Sequence, residues 1–373
     1  MNTKMKKLSI LICWLMLGFS LSFAGNPDRV GQAGATQLLI NPWARSSGVN
    51  GMNVANAYGI ESAINNPAGL AYTKKTEFVF SHTRWLSGSA ININSFGLSQ
   101  ATRKGGVIGL SVMAFDFGEI ERTTENNPDG GLGTFSPTFM NIGASYAKQF
   151  TDQINVGFTT RMIHEAITDA SATGLAFDAG VQYRTSFKKE EIEAENYRLK
   201  IGVSLRNIGP AMRFSGDGLQ QRANLNGNAF SSAVSRVGSK YELPSLLTMG
   251  VSYDFKLAEQ HTLTALGTFY SHTFSRDQLG LGFEYKFREY FMLRSAYSFE
   301  KGIFSDMWIN DKLPMWIADA ERINVHTGLS MGCSFEIPFK SGKDQNSKFA
   351  VDYAYRTSNP FSGTHNIGLR IDL

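Results

Sequence analysis

Residues 279–288 read LGLGFEYKFR, and their alternation decides the fold. Leu279, Leu281, Phe283, Tyr285 and Phe287 share one parity, and Gly280, Gly282, Glu284, Lys286 and Arg288 share the other. Apolar residues at every second position line one face of a strand, whereas on a helix they would be spread around the circumference. Residues 349–356 repeat the pattern, with Phe349, Val351, Tyr353 and Tyr355 against Ala350, Asp352, Ala354 and Arg356. Ile323, Val325, Leu329, Met331, Cys333 and Phe335 continue it against Asn324, His326, Ser330, Ser334 and Glu336. The chain ends inside such a segment, Ile367, Leu369, Ile371 and Leu373 facing away from Asn366, Gly368, Arg370 and Asp372.

Working outward, the chain from Glu77 onward divides into about fourteen alternating segments separated by turn signals, an even number as a bacterial single-chain barrel expects. The earlier ones fall at 78–85, 91–102, 107–117, 138–149, 154–164, 174–187, 197–207, 246–255, 262–272 and 290–299. Connection lengths alternate as an outer-membrane barrel requires, with short turns on one side and long loops on the other. The long set is 86–90, 118–137, 165–173, 208–245, 274–277, 300–321 and 359–363; the short set includes 103–106, 150–153, 188–196 and 337–347. The expected fold is all-β, a transmembrane β-barrel of antiparallel strands over 77–373, closed by pairing the last strand with the first. A soluble sheet with this terminal strand would leave a long exposed edge, which proteins avoid. On this reading an Arg at Phe283 or Val351 meets lipid, and the same change at Asp352 is milder.

Residues 1–24 have a basic start with Lys4, Lys6 and Lys7, an apolar stretch from Leu8 to Phe23, and small residues at Ser22 and Ala24, with Gly25 just beyond. This is the pattern of a secretory signal peptide. Its cleavage takes the formal charge from +4 to +1 and removes Cys13, leaving Cys333 as the single cysteine. Nucleic-acid binding gains no support from that charge, and no intrachain disulfide is available. A mean hydropathy of −0.17 would suit a soluble protein, but a barrel hides its lipid face by alternation; the 27 Phe and 37 Gly suit an aromatic-studded wall of closely packed strands.

Residues 25–76 differ from all of this. The core of the segment, 34–72, is rich in Ala, Gly, Asn and Ser, lacks sustained alternation, and carries Asn41-Pro42 and Asn66-Pro67. In the run from Asn66 to Ala71 the Asn suits a helix cap and Pro67 the first helical position, where no N–H is missed. Such a segment is placed to fold back into the barrel as a hatch, or to run over the surface as a lead-in.

At these residues the chain resembles the PorV/PorQ family of Bacteroidetes outer-membrane proteins, themselves related to the fatty-acid channel FadL. The matching pieces are Ala33-Gly34-Ala35, Leu38-Leu39-Ile40-Asn41-Pro42, Ala44-Arg45-Ser46 and Asn66-Pro67-Ala68-Gly69-Leu70-Ala71. The resemblance implies a hatch-filled barrel of the type IX secretion system. Such a barrel binds the C-terminal domain of secreted cargo and associates with the translocon barrel or the surface attachment complex. Asn41, Pro42, Arg45, Asn66 and Pro67 are its hatch motif.

No pattern for catalysis, cofactor or metal is convincing. The chain has no Gly-x-Ser-x-Gly and no His-Glu-x-x-His, and Cys333 has no partner for a metal pair. His164-Glu165 reads as a strand end at the rim, and His326 as a lumen residue. The loop 300–321 is far too apolar for a water-exposed tip, holding Phe304, Met307, Trp308, Met315 and Trp316. It is expected to be an interface for cargo or partner barrel, a lid over the mouth, or an anchor in the outer leaflet. Two roles follow for the whole chain besides a purely structural one: recognition of cargo, or passive conduction of hydrophobic small molecules. The charges on the polar parity, Arg161, Glu284, Lys286, Asp352, Arg356 and Arg370, argue against an apolar tunnel.

Overall fold

The computed structural model describes residues 27–103, 105–194, 196–224, 231–288, 290–300, 324–341, 344–358 and 361–373. Residues 1–24, expected to be a signal peptide, and the loop residues Phe304, Met307, Trp308, Met315 and Trp316 lie outside the described residues.

Fourteen antiparallel strands close into one barrel. They are β1 Thr76–Trp85, β2 Ile91–Ala101, β3 Gly106–Asp116, β4 Thr138–Thr151, β5 Ile154–Ile167, β6 Ala170–Thr185 and β7 Leu199–Ile208, followed by β8 Leu246–Ala258, β9 His261–His272, β10 Gln278–Phe287, β11 Phe291–Glu300, β12 Gly328–Ser341, β13 Asp344–Arg356 and β14 Thr364–Asp372. Closure is by the last strand on the first, in a register running from Glu77 opposite Asp372 to Arg84 opposite His365. With every strand paired on both sides, no edge is left open.

The two parities separate cleanly. Outward positions are large and apolar, Phe283 being 55% exposed, whereas Asp352 and Arg370 on the inward parity are each 1% exposed. Aromatic clusters ring both ends. Phe115, Phe117 and Phe139, with Tyr353, Tyr355 and His365, stand at the loop end; Phe187 with Tyr253, and Phe291 with Phe335, stand at the turn end. An apolar band between two aromatic girdles is the surface of a barrel embedded in a bilayer.

Three stretches differ from the sequence expectation. Residues 165–173 hold only the two-residue turn between β5 and β6, because Glu165 does not mark a rim: it points inward, buried, and accepts hydrogen bonds from Gln37 Nε2 (2.6 Å) and Tyr241 Oη (3.0 Å). The ladder of β12 and β13 likewise extends into 337–347, pairing Pro338 with Lys348 and Ser341 with Asp344, where the whole stretch was expected to be turn. β12 begins only at Gly328, so His326 precedes the strand and packs edge-on against Trp85, ring centroids 4.8 Å apart. The loop 208–245 also carries two short ribbons of its own, Met212–Arg213 with Lys240–Tyr241 and Gln220–Asn224 with Ser231–Ser235.

Candidate functional site: the packed lumen

The segment before β1 is a succession of single turns: Thr36–Leu39, Ala44–Ser47, Asn53–Ala55, Ser62–Asn65 and Pro67–Tyr72. Asn66 caps the last of these, its side chain accepting from Ala68 N at 3.2 Å with Pro67 at the first helical position, as its sequence leads one to expect. Short turns leave many backbone groups without intrahelical partners, so the segment needs outside partners to be stable.

Asparagine amides supply part of the answer. Asn41 Oδ1 accepts from Trp43 N (3.0 Å), and Asn41 Nδ2 donates to Asn65 Oδ1 (2.8 Å). Asn65 Nδ2 donates in turn to Asn53 Oδ1 (2.6 Å), and Asn53 Nδ2 to Ser46 Oγ (3.0 Å). The amides therefore tie the turns to one another.

Inward side chains of the strands supply the rest. The Pro42 carbonyl accepts from Ser81 Oγ and Asn366 Nδ2, both at 2.6 Å, which pins it where β1 meets β14. Gln182 Nε2 donates to the carbonyls of Val54 (3.1 Å) and Ala57 (3.0 Å), while Asn66 Nδ2 reaches Val54 O (2.9 Å) and, on the wall, Val181 O (3.0 Å). Arg161, Arg206 and Arg356 donate to the carbonyls of Ala63, Leu38 and Asn41. Ile60 N donates to Glu77 Oε2 at 2.7 Å.

Arg45 is buried on the same segment, its Nη2 donating to Tyr58 O (2.6 Å) and its Nε 3.6 Å from Glu61. Burial alone would lower its guanidinium, but Glu61 foremost, with Tyr58 and Glu77, holds it above its ordinary value. Three lumen arginines pair with acids: Arg161 with Asp178, Arg370 with Glu336, and Arg294 Nε with Glu284 at 2.5 Å.

Close approach is possible because some inward wall positions facing the segment, Gly157 and Gly180 among them, are glycine. A Cβ at Gly157 would lie 2.2 Å from the Pro67 carbonyl carbon, and one at Gly180 2.0 Å from Asn66 Oδ1. Gly157→Val should therefore cost about 1–3 kcal/mol through overpacking. Urea unfolding of the purified barrel in lipid checks this; an unchanged midpoint would show that the turn at Pro67 is not held against β5.

Asn41, Pro42, Arg45, Asn66 and Pro67, the residues expected to form a hatch motif, are all buried, in two groups. Asn41 and Pro42 face β1, β13 and β14, Arg45 turns to Tyr58 and Glu61 within the segment, and Asn66 and Pro67 face β5 and β6; Asn65, bonded to Asn41, links the groups. Glu61, which partners Arg45, and Glu77 and Gln182, which hold Ile60, Val54 and Ala57 of the same segment, carry no local signal in the sequence, since each matters only through a contact well removed along the chain.

Two of the cavities beside the segment lie at opposite ends and share no lining residue. The outer one, about 380 Å³, lies toward the loop end and is lined by Leu39, Ile40, Trp85, Arg206, Tyr270 and Arg356, among others. The inner one, about 330 Å³, lies at the turn end beside Tyr72, Lys75, Glu77 and Arg370.

A closed barrel with an apolar outer band, aromatic girdles and a polar interior defines a transmembrane β-barrel protein. The family model of the type IX secretion system protein PorV matches residues 24–234, more than half of the chain, and the chain belongs to that family. Membership with this fold implies the outer membrane. No curated protein matches the chain. Among solved structures, it is similar to the Ralstonia pickettii toluene transporter TbuX, with 12% identity, 89% of this chain and 97% of that one covered, and a TM-score of 0.48. It is likewise similar to the Pseudomonas putida toluene transporter TodX, with 12% identity, 87% and 96% covered and a TM-score of 0.47. A Pseudomonas aeruginosa FadL homologue gives 12% identity, 88% and 96% covered and a TM-score of 0.46. At this level of similarity no functional argument passes from these proteins to this chain.

Proposed function

We propose that this barrel is a recognition component of the type IX secretion system. It binds the C-terminal domain of secreted cargo at its outer face, associates there with the translocon barrel or the surface attachment complex, and catalyses nothing. Residues 1–24 are removed on export, and residues 25–76 act as a hatch. The observation that supports this most is the fastening of the hatch: its carbonyls at Leu38, Asn41, Pro42, Met52, Val54, Ala57 and Ala63 each accept from a barrel side chain. A passive channel for hydrophobic small molecules would have to release these bonds at each passage. That leaves the outer face for work on a partner.

The contact surface proposed for that partner is the apolar loop with Phe304, Met307, Trp308, Met315 and Trp316, because aromatic and Met anchors dominate protein interfaces. Replacing Trp308 and Trp316 together with Ala should leave a heat-modifiable barrel in the outer membrane and lower co-purification of cargo or partner barrel roughly tenfold, about 1–2 kcal/mol. Pull-down from detergent-solubilised membranes measures this. Undiminished cargo capture combined with altered uptake of a hydrophobic tracer would favour the channel.

A further inference from the structure

The lipid-facing wall carries a cation at the loop end of the closing seam, where β14 meets β1. Among the described lysines and arginines of the fourteen strands, only Arg84 and Lys148 stand on the outward parity; Lys148 lies at the turn end of β4 and Arg84 at the loop end of β1. Arg84 is exposed and makes no hydrogen bond or ion pair with any described residue.

Closure of the barrel gathers polar side chains around it. Arg84 stands opposite His365 of β14 and Asn92 of β2, and two residues further in on the same face His82 stands opposite Asn94. Side chains directly opposed on one face have Cβ atoms about 5 Å apart. The contacts that hold these neighbours leave donors unspent. His82 Nδ1 lies 2.8 Å from Asn94 Oδ1, so the amide nitrogen of Asn94 stays free. His365 Nδ1 lies 2.8 Å from Tyr353 Oη, and where it accepts from that hydroxyl its Nε2 carries the hydrogen.

No acid flanks the patch in the chain: residues 86–90 and 357–363, the connections on either side, contain neither Asp nor Glu. Along the ladder the nearest acid on this face is Asp116 of β3, opposite Asn92 and so two strand spacings, about 10 Å, from Arg84. Its Oδ1 already accepts from Gly118 N at 3.0 Å.

The level is that of lipid headgroups. Phe80, opposite Phe96 of β2 and Leu369 of β14, marks the apolar band, and Arg84 is four residues, about 13 Å along the strand, beyond it. Tyr355 of the loop-end girdle stands opposite His365. A cation on the lipid face costs little at this depth, and beside a membrane it is drawn to anionic lipid. The planar guanidinium fork suits phosphate oxygens, which accept two of its N–H groups at once. With the long loops outward, the leaflet at this level is the outer one.

From these observations we infer that the closing seam binds the phosphate of an outer-leaflet lipid, with Arg84 as the anion-holding residue and Asn92, Asn94 and His365 as the donors beside it. The site is on the wall, apart from the lumen and from the apolar loop, so it does not depend on cargo recognition.

Native mass spectrometry of the purified full barrel in detergent tests it, with lipid A carrying its phosphates and dephosphorylated lipid A as the probes. The phosphorylated lipid should bind at least fivefold more tightly. Arg84→Gln should erase that preference, and so should Asn92→Asp, which keeps Arg84 but sets an acid opposite it. Lys148→Gln, at the other end of the wall, should leave the preference intact. Heat-modifiable migration of each variant shows that the barrel is folded. Equal binding of the two lipids by the unaltered barrel, a preference that survives both seam variants, or its equal loss in Lys148→Gln overturns the site. Displacement of the lipid by inorganic phosphate at tenfold its concentration overturns the assignment to a lipid. If Arg84→Gln keeps the lipid preference but sheds a co-purifying protein, the seam is a protein contact and the inference fails.

Discussion

Replacing Arg370 with Ala is expected to destabilise the barrel by about 3–5 kcal/mol, the cost of leaving buried charge without its partner. Arg370 is 1% exposed; it pairs with Glu336, lies 3.4 Å from Asp372, and stands 5.7 Å from the centroid of the Tyr58 ring on the N-terminal segment. Its loss strips Glu336 of its buried partner, leaving only Lys348 at 3.7 Å, itself partly exposed. Arg370→Lys should recover part of the loss, since it restores the charge but not the planar fork. Urea titration of the heat-modifiable form in lipid vesicles measures both variants. A change below about 1 kcal/mol would show that water screens the lumen charges as it does at an exposed pair.

The wall supplies the second large effect. Phe283→Arg, mid-strand on β10 and 55% exposed, is expected to cost about 2–4 kcal/mol by placing a cation against lipid. The alternation of residues alone ranks the same change at Asp352 as milder, because a polar parity suggests a water-filled lumen. The packed interior reverses that ranking. Asp352 is 1% exposed, accepts from Ser334 Oγ, and lies within electrostatic reach of Arg294 and Arg370. An Arg there would meet two like charges with no water to screen them. Asp352→Arg should therefore destabilise at least as much as Phe283→Arg in the same titration, and a barrel that accepts it without loss would have a solvated lumen.

The wall was legible because a strand writes its faces into adjacent residues. Phe283 and Glu284 point to opposite sides whatever the rest of the chain does, so parity, strand number and closure of β14 on β1 follow from residues neighbouring in sequence. The turn at Asn66-Pro67 was legible for the same reason, its cap bond spanning two residues. Glu165 misled because charge usually signals a strand end, and here an inward partner absorbs it; the turn expected over 337–347 was drawn too wide, since the ladder of β12 and β13 reaches Ser341 opposite Asp344.

What the sequence by itself determined is therefore the barrel, its lipid-facing parity, the local turn chemistry of the N-terminal segment, and the motifs that resemble the PorV/PorQ family. Tertiary structure decided how the lumen is filled and which charges are left over. Asn366 meets Pro42 across 324 positions of chain and Arg356 meets Asn41 across 315, and no local pattern encodes such pairs. Arg161, Arg206, Arg356 and Arg370 look alike as inward arginines on alternating strands. Only the closed barrel, by setting acids opposite Arg161 and Arg370 and backbone carbonyls opposite Arg206 and Arg356, makes the first two structural and leaves the other two facing a cavity.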